Sequence, residues 1–82
     1  MNTVHFKVPT VDIVRTGQNI RKLREAKGIS VRDLQDALGF SSPQAIYKWQ
    51  WGDTLPDIDN LLALSILLET DIEDILITQD VF

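Results

Sequence analysis

The segment from Ser42 to Trp51 carries side chains that could read the edges of nucleic-acid bases. The amide of Gln44 can hydrogen-bond adenine with both of its ends, and the ammonium group of Lys48 can reach a guanine acceptor or a phosphate. The methyl group of Ala45 can contact the methyl group of thymine. These residue types within one short segment are suited to contacts with base edges.

The same segment has the spacing and the end signals of a short helix. Ile46 and Trp49 lie three positions apart, so on a helix they share one side and should face the core. Ser42 is the predicted N-cap and Pro43 the predicted first helical residue, while Gly52 ends the helix. The buried pair would hold the helix in place and leave its opposite face in solvent.

Residues that would support catalysis or metal binding are scarce. The chain has no cysteine and one histidine, His5, which has no second ligand or acid–base partner. Five acids of the last third could suggest a metal site: Asp57, Asp59, Asp71, Glu73 and Asp74. Helix capping explains most of them, and a calcium loop with its glycine is absent. We therefore expect no enzymatic activity, metal, cofactor or small-molecule ligand.

Length and composition predict one soluble domain. The chain has 82 residues, of which 44% are hydrophobic, and this is typical of a single globular domain. The absence of cysteine fits a reducing, cytoplasmic setting. The N-terminus lacks the pattern of a signal peptide, and the apolar run 61–68 is too short to span a membrane.

The net charge of −4 argues at first against a nucleic-acid partner, but the charges are segregated along the chain. Residues 1–52 contain all eight Lys and Arg residues and four acids, whereas residues 53–82 contain eight acids and no base. A phosphate backbone responds to the local field of the face it meets. The pattern favours a basic DNA-facing part and an acidic part that lies away from DNA; a solvated surface without such a role is the alternative.

Two helices are predicted before the Ser42–Trp51 segment. The first runs from about Thr16 to Lys27. The second opens at Ser30, which forms a Ser-x-x-Asp variant of the capping box with Asp33. About three to four residues then separate the second helix from the third, which requires a tight turn.

Two further helices are predicted after that segment. The fourth starts near Asp57 and is apolar on more than one side, so we expect it to be central to the core. The fifth starts near Asp71, with Thr70 or Asp71 as its cap.

A short N-terminal strand is also expected. Residues 4–8 alternate apolar and polar, which places Val4, Phe6 and Val8 on one face, and Pro9 ends the strand. Its partner would be the tail 80–82 or the same segment of a second subunit.

The order of these features resembles the Cro and phage-repressor (XRE) family of helix-turn-helix proteins. The landmarks that carry the resemblance span about residues 17–77: Ile20–Ser30, Leu34, Leu38–Gly39, Ile46, Trp49, Gly52, Leu55–Pro56 and Leu61–Leu64. The resemblance implies an all-α, compact, lambda-repressor-like fold of five helices. It divides the chain into an N-terminal arm (1–16), a helix-turn-helix domain (17–77) and a C-terminal tail (78–82).

The resemblance also implies sequence-specific DNA binding and transcriptional regulation, usually as a homodimer. The start of the third helix would read the major groove, and the start of the second would approach phosphates. The site residues expected on this basis, together with the residue types above, are Ser30, Arg32, Ser41, Ser42, Pro43, Gln44, Ala45, Tyr47 and Lys48.

Several residues depart from the family pattern. Val31 stands where members often have Gln, so its side chain cannot donate to a phosphate. Gln50 stands where members often have Glu, so Arg24 of the first helix would meet a neutral amide through a hydrogen bond.

These departures and the net charge keep a second hypothesis open, in which the same fold is a protein-interaction module, antitoxin-like or anchoring, with a vestigial DNA face. Two roles also remain open for Trp51, packing on the loop to Pro56 or contacting the DNA backbone. The apolar termini, Val4, Phe6, Val81 and Phe82, are candidates for a dimer interface.

Overall fold

The computed structural model describes residues 8–80, which form five helices and two short strands. In chain order these are β1 (Pro9–Val11), α1 (Ile13–Ala26), α2 (Val31–Leu38), α3 (Gln44–Trp51), α4 (Ile58–Leu67), α5 (Ile72–Ile75) and β2 (Thr78–Asp80). The five-helix fold expected from the sequence is confirmed. The expectations for residues 4–7 and for Val81 and Phe82 lie outside the described residues. No helix within residues 8–80 has the length and apolar character needed to cross a membrane.

Helix α1 begins three residues earlier than predicted. Asp12 is its N-cap, and the Asp12 carboxylate accepts a hydrogen bond from the Arg15 N–H at 3.0 Å. Thr16, the predicted start, is buried inside the helix instead. Its hydroxyl accepts from the Ile77 N–H at 2.9 Å, which ties α1 to the end of the chain.

The strand at the N-terminus differs from the predicted one. Pro9 begins β1 rather than ending a strand, and Val8 lies outside any element. β1 pairs antiparallel with β2, with Pro9 opposite Asp80 and Val11 opposite Thr78. A proline is tolerated at the first position of a strand because its missing N–H is not needed there. The tail is therefore the partner, as one alternative expected, but the pairing starts two residues earlier.

Helix α2 has the predicted capping box. The Ser30 hydroxyl accepts from the Asp33 N–H, and the Asp33 carboxylate accepts from the Ser30 N–H, both at 2.9 Å. These two bonds satisfy N–H groups that have no partner inside the helix. Gly39 then ends α2 in the left-handed region, with φ of 73°.

The core lies between α1, α2, α3 and the C-terminal helices. Its buried apolar residues are Ile20, Leu34, Ile46, Trp49, Leu64, Leu68 and Ile75. Phe40 packs edge-on against the indole of Trp49, with ring centroids 5.9 Å apart. The prediction that Ile46 and Trp49 face inward is confirmed.

Helix α4 is less buried than predicted. Leu64 and the C-cap residue Leu68 enter the core. Ile58, Leu62 and Ile66 on the other side are 80%, 54% and 72% exposed. The apolar character of α4 on two sides thus reflects one core face and one face that the rest of residues 8–80 leaves uncovered.

Candidate nucleic-acid interface

Helix α3 is held against α1 by close backbone packing and one polar contact. Gly17 of α1 is buried, and a β-carbon at its position would overlap the carbonyl oxygen of Trp49. Farther along α1, the Arg24 Nε donates to Gln50 Oε1 at 3.0 Å, and Arg24 Nη1 donates to the Ile29 carbonyl at 2.9 Å. The expected hydrogen bond between Arg24 and Gln50 is therefore confirmed. This packing fixes which face of α3 points to solvent.

The start of α3 differs from the prediction. The helix begins at Gln44 and its N-cap is Pro43, so Ser42 is not the N-cap and Pro43 is not yet helical. No side chain makes a capping hydrogen bond there. The connection from α2 consequently spans residues 39–43. Pro43 supplies a φ of −83° and a carbonyl that accepts from the Tyr47 N–H at 3.1 Å, which begins the helical hydrogen bonding.

The predicted reading residues share the exposed side of α3 and the turn before it. Gln44, Tyr47 and Lys48 are exposed, while Ile46 and Trp49 are buried on the opposite side. Ser41 and Ser42 are exposed, and Pro43 and Ala45 are half-buried. An open depression is lined by Gly39, Phe40, Ser41, Ser42 and Ala45. The structure thus places seven of the nine predicted residues on α3 and the turn before it, with Ala45 partly packed against the core.

The other two predicted residues lie at the start of α2. The oxygen of Ser30 is engaged in the capping box, but its hydroxyl hydrogen is not used by that bond. The Arg32 side chain is 80% exposed, and its Nε lies 3.7 Å from Asp36 Oδ1. An exposed pair at this distance contributes little, so the guanidinium can exchange Asp36 for another anion at small cost.

Trp51 has a neighbour that the sequence reasoning missed. The indole is 65% exposed and stacks on the Tyr47 ring, with centroids 5.7 Å apart and an interplanar angle of 19°. The signal was available, because aromatic residues four apart on a helix are neighbours on its surface. The stack restricts the Tyr47 side chain and extends the exposed face of α3 by one aromatic surface.

Some of the basic side chains form ion pairs within the chain. Arg21 pairs with Glu25, and Lys27 Nζ lies 2.5 Å from Glu69 Oε2. The hydrogen bond from Lys27 and its charge lower the pKa of Glu69. Lys48 on α3 takes part in no salt bridge among residues 8–80. Its ammonium group is therefore available to an external anion.

Comparison with known proteins gives matches of sequence and fold. The profile of the helix-turn-helix family matches residues 20–75. The restriction-modification controller protein C.AhdI from Aeromonas hydrophila is 28% identical with a TM-score of 0.70, covering 78% of this chain and 96% of its own. The clp gene regulator ClgR from C. glutamicum is 22% identical with a TM-score of 0.66, covering 76% and 79%.

A third similar structure is the biofilm regulator SinR in complex with DNA, which is 23% identical with a TM-score of 0.65 and covers 73% of this chain and 95% of its own. No curated protein matches the chain. The family profile covers more than half of the residues and includes α2, the turn and α3. The chain therefore belongs to the XRE-type helix-turn-helix family.

Proposed function

We propose that this protein is a transcriptional regulator that binds double-stranded DNA sequence-specifically by inserting α3 into the major groove. The observation that carries the proposal is the division of α3 into two faces. Ile46 and Trp49 anchor one face in the core, while Gln44 and Lys48 stand exposed on the other. The likeness to a restriction-modification controller and to a regulator in complex with DNA supports the same reading.

In this proposal each exposed side chain of α3 makes a different contact with the bases. Gln44 makes two hydrogen bonds to adenine, and Lys48 donates to guanine acceptors or to a phosphate. Tyr47 contacts base edges from a position that the stack with Trp51 restricts. The surface beside the adenine that Gln44 contacts is formed by Ser41, Ser42, Pro43 and Ala45.

In the same proposal, residues at the start of α2 contact the phosphate backbone of the DNA. Ser30 can donate its hydroxyl hydrogen to a phosphate, and Arg32 can leave Asp36 for the same phosphate. The positive end of the α2 dipole lies beside Ser30 and favours an anion there. Contacts of this kind set register and orientation rather than sequence preference.

A homodimer completes the proposal. Two copies of α3 would read two half-sites about 34 Å apart along the duplex. A palindromic operator would follow from the two-fold symmetry of the protein.

Selection of bound duplexes from a random pool tests the proposal. We expect enrichment of one two-fold symmetric sequence by the wild-type chain and a changed preference for Gln44→Ala. Gln79→Ala, an exposed glutamine on β2, is the matched control and should select the wild-type sequence. An unchanged profile for Gln44→Ala would remove Gln44 from the reading face.

Salt dependence tests the phosphate contacts separately. Binding to the selected duplex should weaken steeply with added salt because each neutralised phosphate releases counterions. If Lys48 binds a phosphate, Lys48→Gln should reduce the slope of log affinity against log salt by about one. A slope near zero for the wild-type chain would contradict the proposed backbone contacts.

The alternative is a protein-interaction module of the same fold with a vestigial DNA face. Val31 favours it, because this side chain at the start of α2 cannot donate to a phosphate. No enriched sequence at low salt, together with a co-purifying protein, would favour this alternative.

A further inference from the structure

Trp51 presents an aromatic ring that the core does not use. Its indole is 65% exposed, whereas Trp49, two positions earlier on α3, is 4% exposed and packs against Phe40. The aromatic contact of Trp51 is instead the stack on Tyr47. The role of this indole therefore lies on the surface of α3 rather than in the core.

The stack restricts where the Tyr47 ring can lie. The two ring centroids are 5.7 Å apart and the ring planes differ by 19°, which is close to parallel. An exposed tyrosine on a helix otherwise exchanges between rotamers. No side-chain hydrogen bond within residues 8–80 involves the Tyr47 hydroxyl and would select one of them. The indole of Trp51 is therefore the contact that selects the position of the hydroxyl.

The position of this hydroxyl matters for recognition because its chemistry alone specifies little. A tyrosine hydroxyl both donates and accepts a hydrogen bond, so a ring that moves freely can match several base edges. A ring held in one place matches fewer of them. Tyr47 and Trp51 lie four positions apart on the exposed face that Gln44 shares, so the stack restricts the ring on the face proposed to read bases.

We propose that Trp51 is a positioning residue that sets which base pair Tyr47 reads, through the stack and without contact to a base. The inference rests on the proposed function and deepens it by naming a source of its sequence preference. Because the Tyr47 ring is ordered before DNA arrives, binding loses less side-chain freedom at this position. The indole N–H makes no contribution in this proposal, which separates it from a role of Trp51 as a donor to a phosphate.

Two substitutions of Trp51 distinguish stacking from hydrogen bonding. Trp51→Leu keeps an apolar side chain but has no flat ring, whereas Trp51→Phe keeps a ring and has no N–H. Selection of duplexes from a random pool should show that Trp51→Leu discriminates about two- to tenfold less at one base pair, the factor that one aromatic pair corresponds to. Trp51→Phe should keep most of the wild-type discrimination. An equal loss in both variants would assign the role to the N–H and overturn the proposal.

A double-variant cycle tests whether Trp51 acts through Tyr47. Tyr47→Phe removes the hydroxyl and keeps the ring, so it should lose discrimination at the same base pair as Trp51→Leu. Adding Trp51→Leu to Tyr47→Phe should then have little further effect on that base pair. Losses that add, or that fall on different base pairs, would show that Trp51 acts independently of Tyr47 and would overturn the proposal.

Nuclear magnetic resonance tests the stack without DNA. Tyr47 is the only tyrosine of the chain, so its ring signals are distinct, and protons over the face of an indole are shifted by the ring current. Trp51→Leu should remove this shift and Trp51→Phe should keep part of it. Circular dichroism should show the same helix content in each variant, since both rings are exposed. Tyr47 signals that are unchanged in Trp51→Leu would contradict the stack.

The failure of this proposal differs from the failure of the function on which it rests. A wild-type chain that selects a sequence, together with a Trp51→Leu variant that selects it equally well, would overturn only the role of Trp51. A wild-type chain that selects no sequence would refute the proposed function, and the role of Trp51 in reading DNA would fall with it.

Discussion

Gly17 is a residue whose role depends on a distant part of the chain. The sequence places it at the beginning of the predicted domain, where a glycine is typical of a boundary. In the structure it is buried inside α1, where α1 crosses the backbone of α3 at Trp49. The close approach of two helices has no local pattern, so only the assembled fold explains this glycine.

We expect Gly17→Ala to destabilise the protein by about 3 kcal/mol or more, since the added β-carbon would overlap a backbone carbonyl that cannot rotate away. The melting temperature measures this, and each kcal/mol corresponds to about 4–8 °C for a domain of this size. Gln18→Ala is the matched control, because Gln18 is exposed on the same helix and alanine favours helix. A melting temperature equal for both variants would mean that α1 and α3 can separate freely.

The contact between Arg24 and Gln50 shows the opposite case, because the family resemblance alone predicts this pair of distant residues. The positions face each other, and the amide replaces the carboxylate common in the family. Arg24 also donates to Ile29, so its charge is already held and partly desolvated at this site.

Gln50→Glu should therefore stabilise the protein at neutral pH by about 0.5–1 kcal/mol, because a charge-assisted hydrogen bond replaces a neutral one and the desolvation of Arg24 is already present. The arginine would lower the pKa of the new carboxyl, so the gain should be present above about pH 4.3 and be lost as pH falls through that lowered pKa. Urea unfolding at several pH values measures it. Lower stability than the wild type at pH 7 would indicate that desolvation of the carboxylate outweighs the new bond.

At the scale of elements, the starts of α2 and α4 were predictable from their capping residues, and the starts of α1 and α3 were not. Ser30 and Asp57 are N-caps as expected, and both accept from the backbone three residues on. The predicted start of α1 at Thr16 is three residues too late, because Asp12 is also a capping residue. After α4 no glycine is present, and Glu69 adopts a φ of 51° instead.

The capping box of α2 predicts a pH dependence. Backbone and side-chain hydrogen bonds from Ser30 lower the pKa of Asp33. A carboxyl with a lowered folded pKa stabilises the fold above its unfolded pKa, near 3.9, and this contribution is lost as pH falls through the folded pKa. Asp33→Asn should thus be less stable than the wild type at neutral pH, and the difference should shrink in acid.

Thermal unfolding of the wild type and of Asp33→Asn, measured from neutral pH to about pH 3, checks this expectation. This range includes the pKa of an aspartate in the unfolded chain. Asp36→Asn is the control, since Asp36 is an exposed acid near the other end of α2, where a negative charge opposes the helix dipole. A difference for Asp33→Asn that stays constant with pH would assign the effect to packing instead.

At the scale of the whole molecule, the helix order and the inward pair of α3 were predictable from the sequence, whereas the DNA-contacting role of the exposed residues stays a prediction. The sequence did not predict the exposed side of α4, because the residue type alone does not tell whether an apolar side chain faces the core or solvent. It offered the C-terminal tail as one partner of the N-terminal strand but did not give the bounds and register of the pairing, since these depend on where α1 and α5 bring the two ends.

Segregation of charge is a further property of the whole chain, and it predicts how DNA binding responds to distant acids. Glu73 and Asp74 are exposed in the first turn of α5 and are not among the residues proposed to contact DNA. In the proposed function these two carboxylates act on DNA only through long-range electrostatic repulsion. Glu73→Gln/Asp74→Asn should therefore raise the association rate at low salt, and the effect should fade once the Debye length drops below about 10 Å.

Lys48→Gln is the matched comparison, because a charge in direct contact is lost at every salt concentration while a distant one is screened. Stopped-flow association with the selected duplex, at low salt and above physiological ionic strength, separates the two behaviours. The double variant should also select the wild-type sequence from a random pool. A changed sequence preference, or a rate increase that persists at high salt, would mean that the acidic part of the chain lies against the DNA rather than away from it.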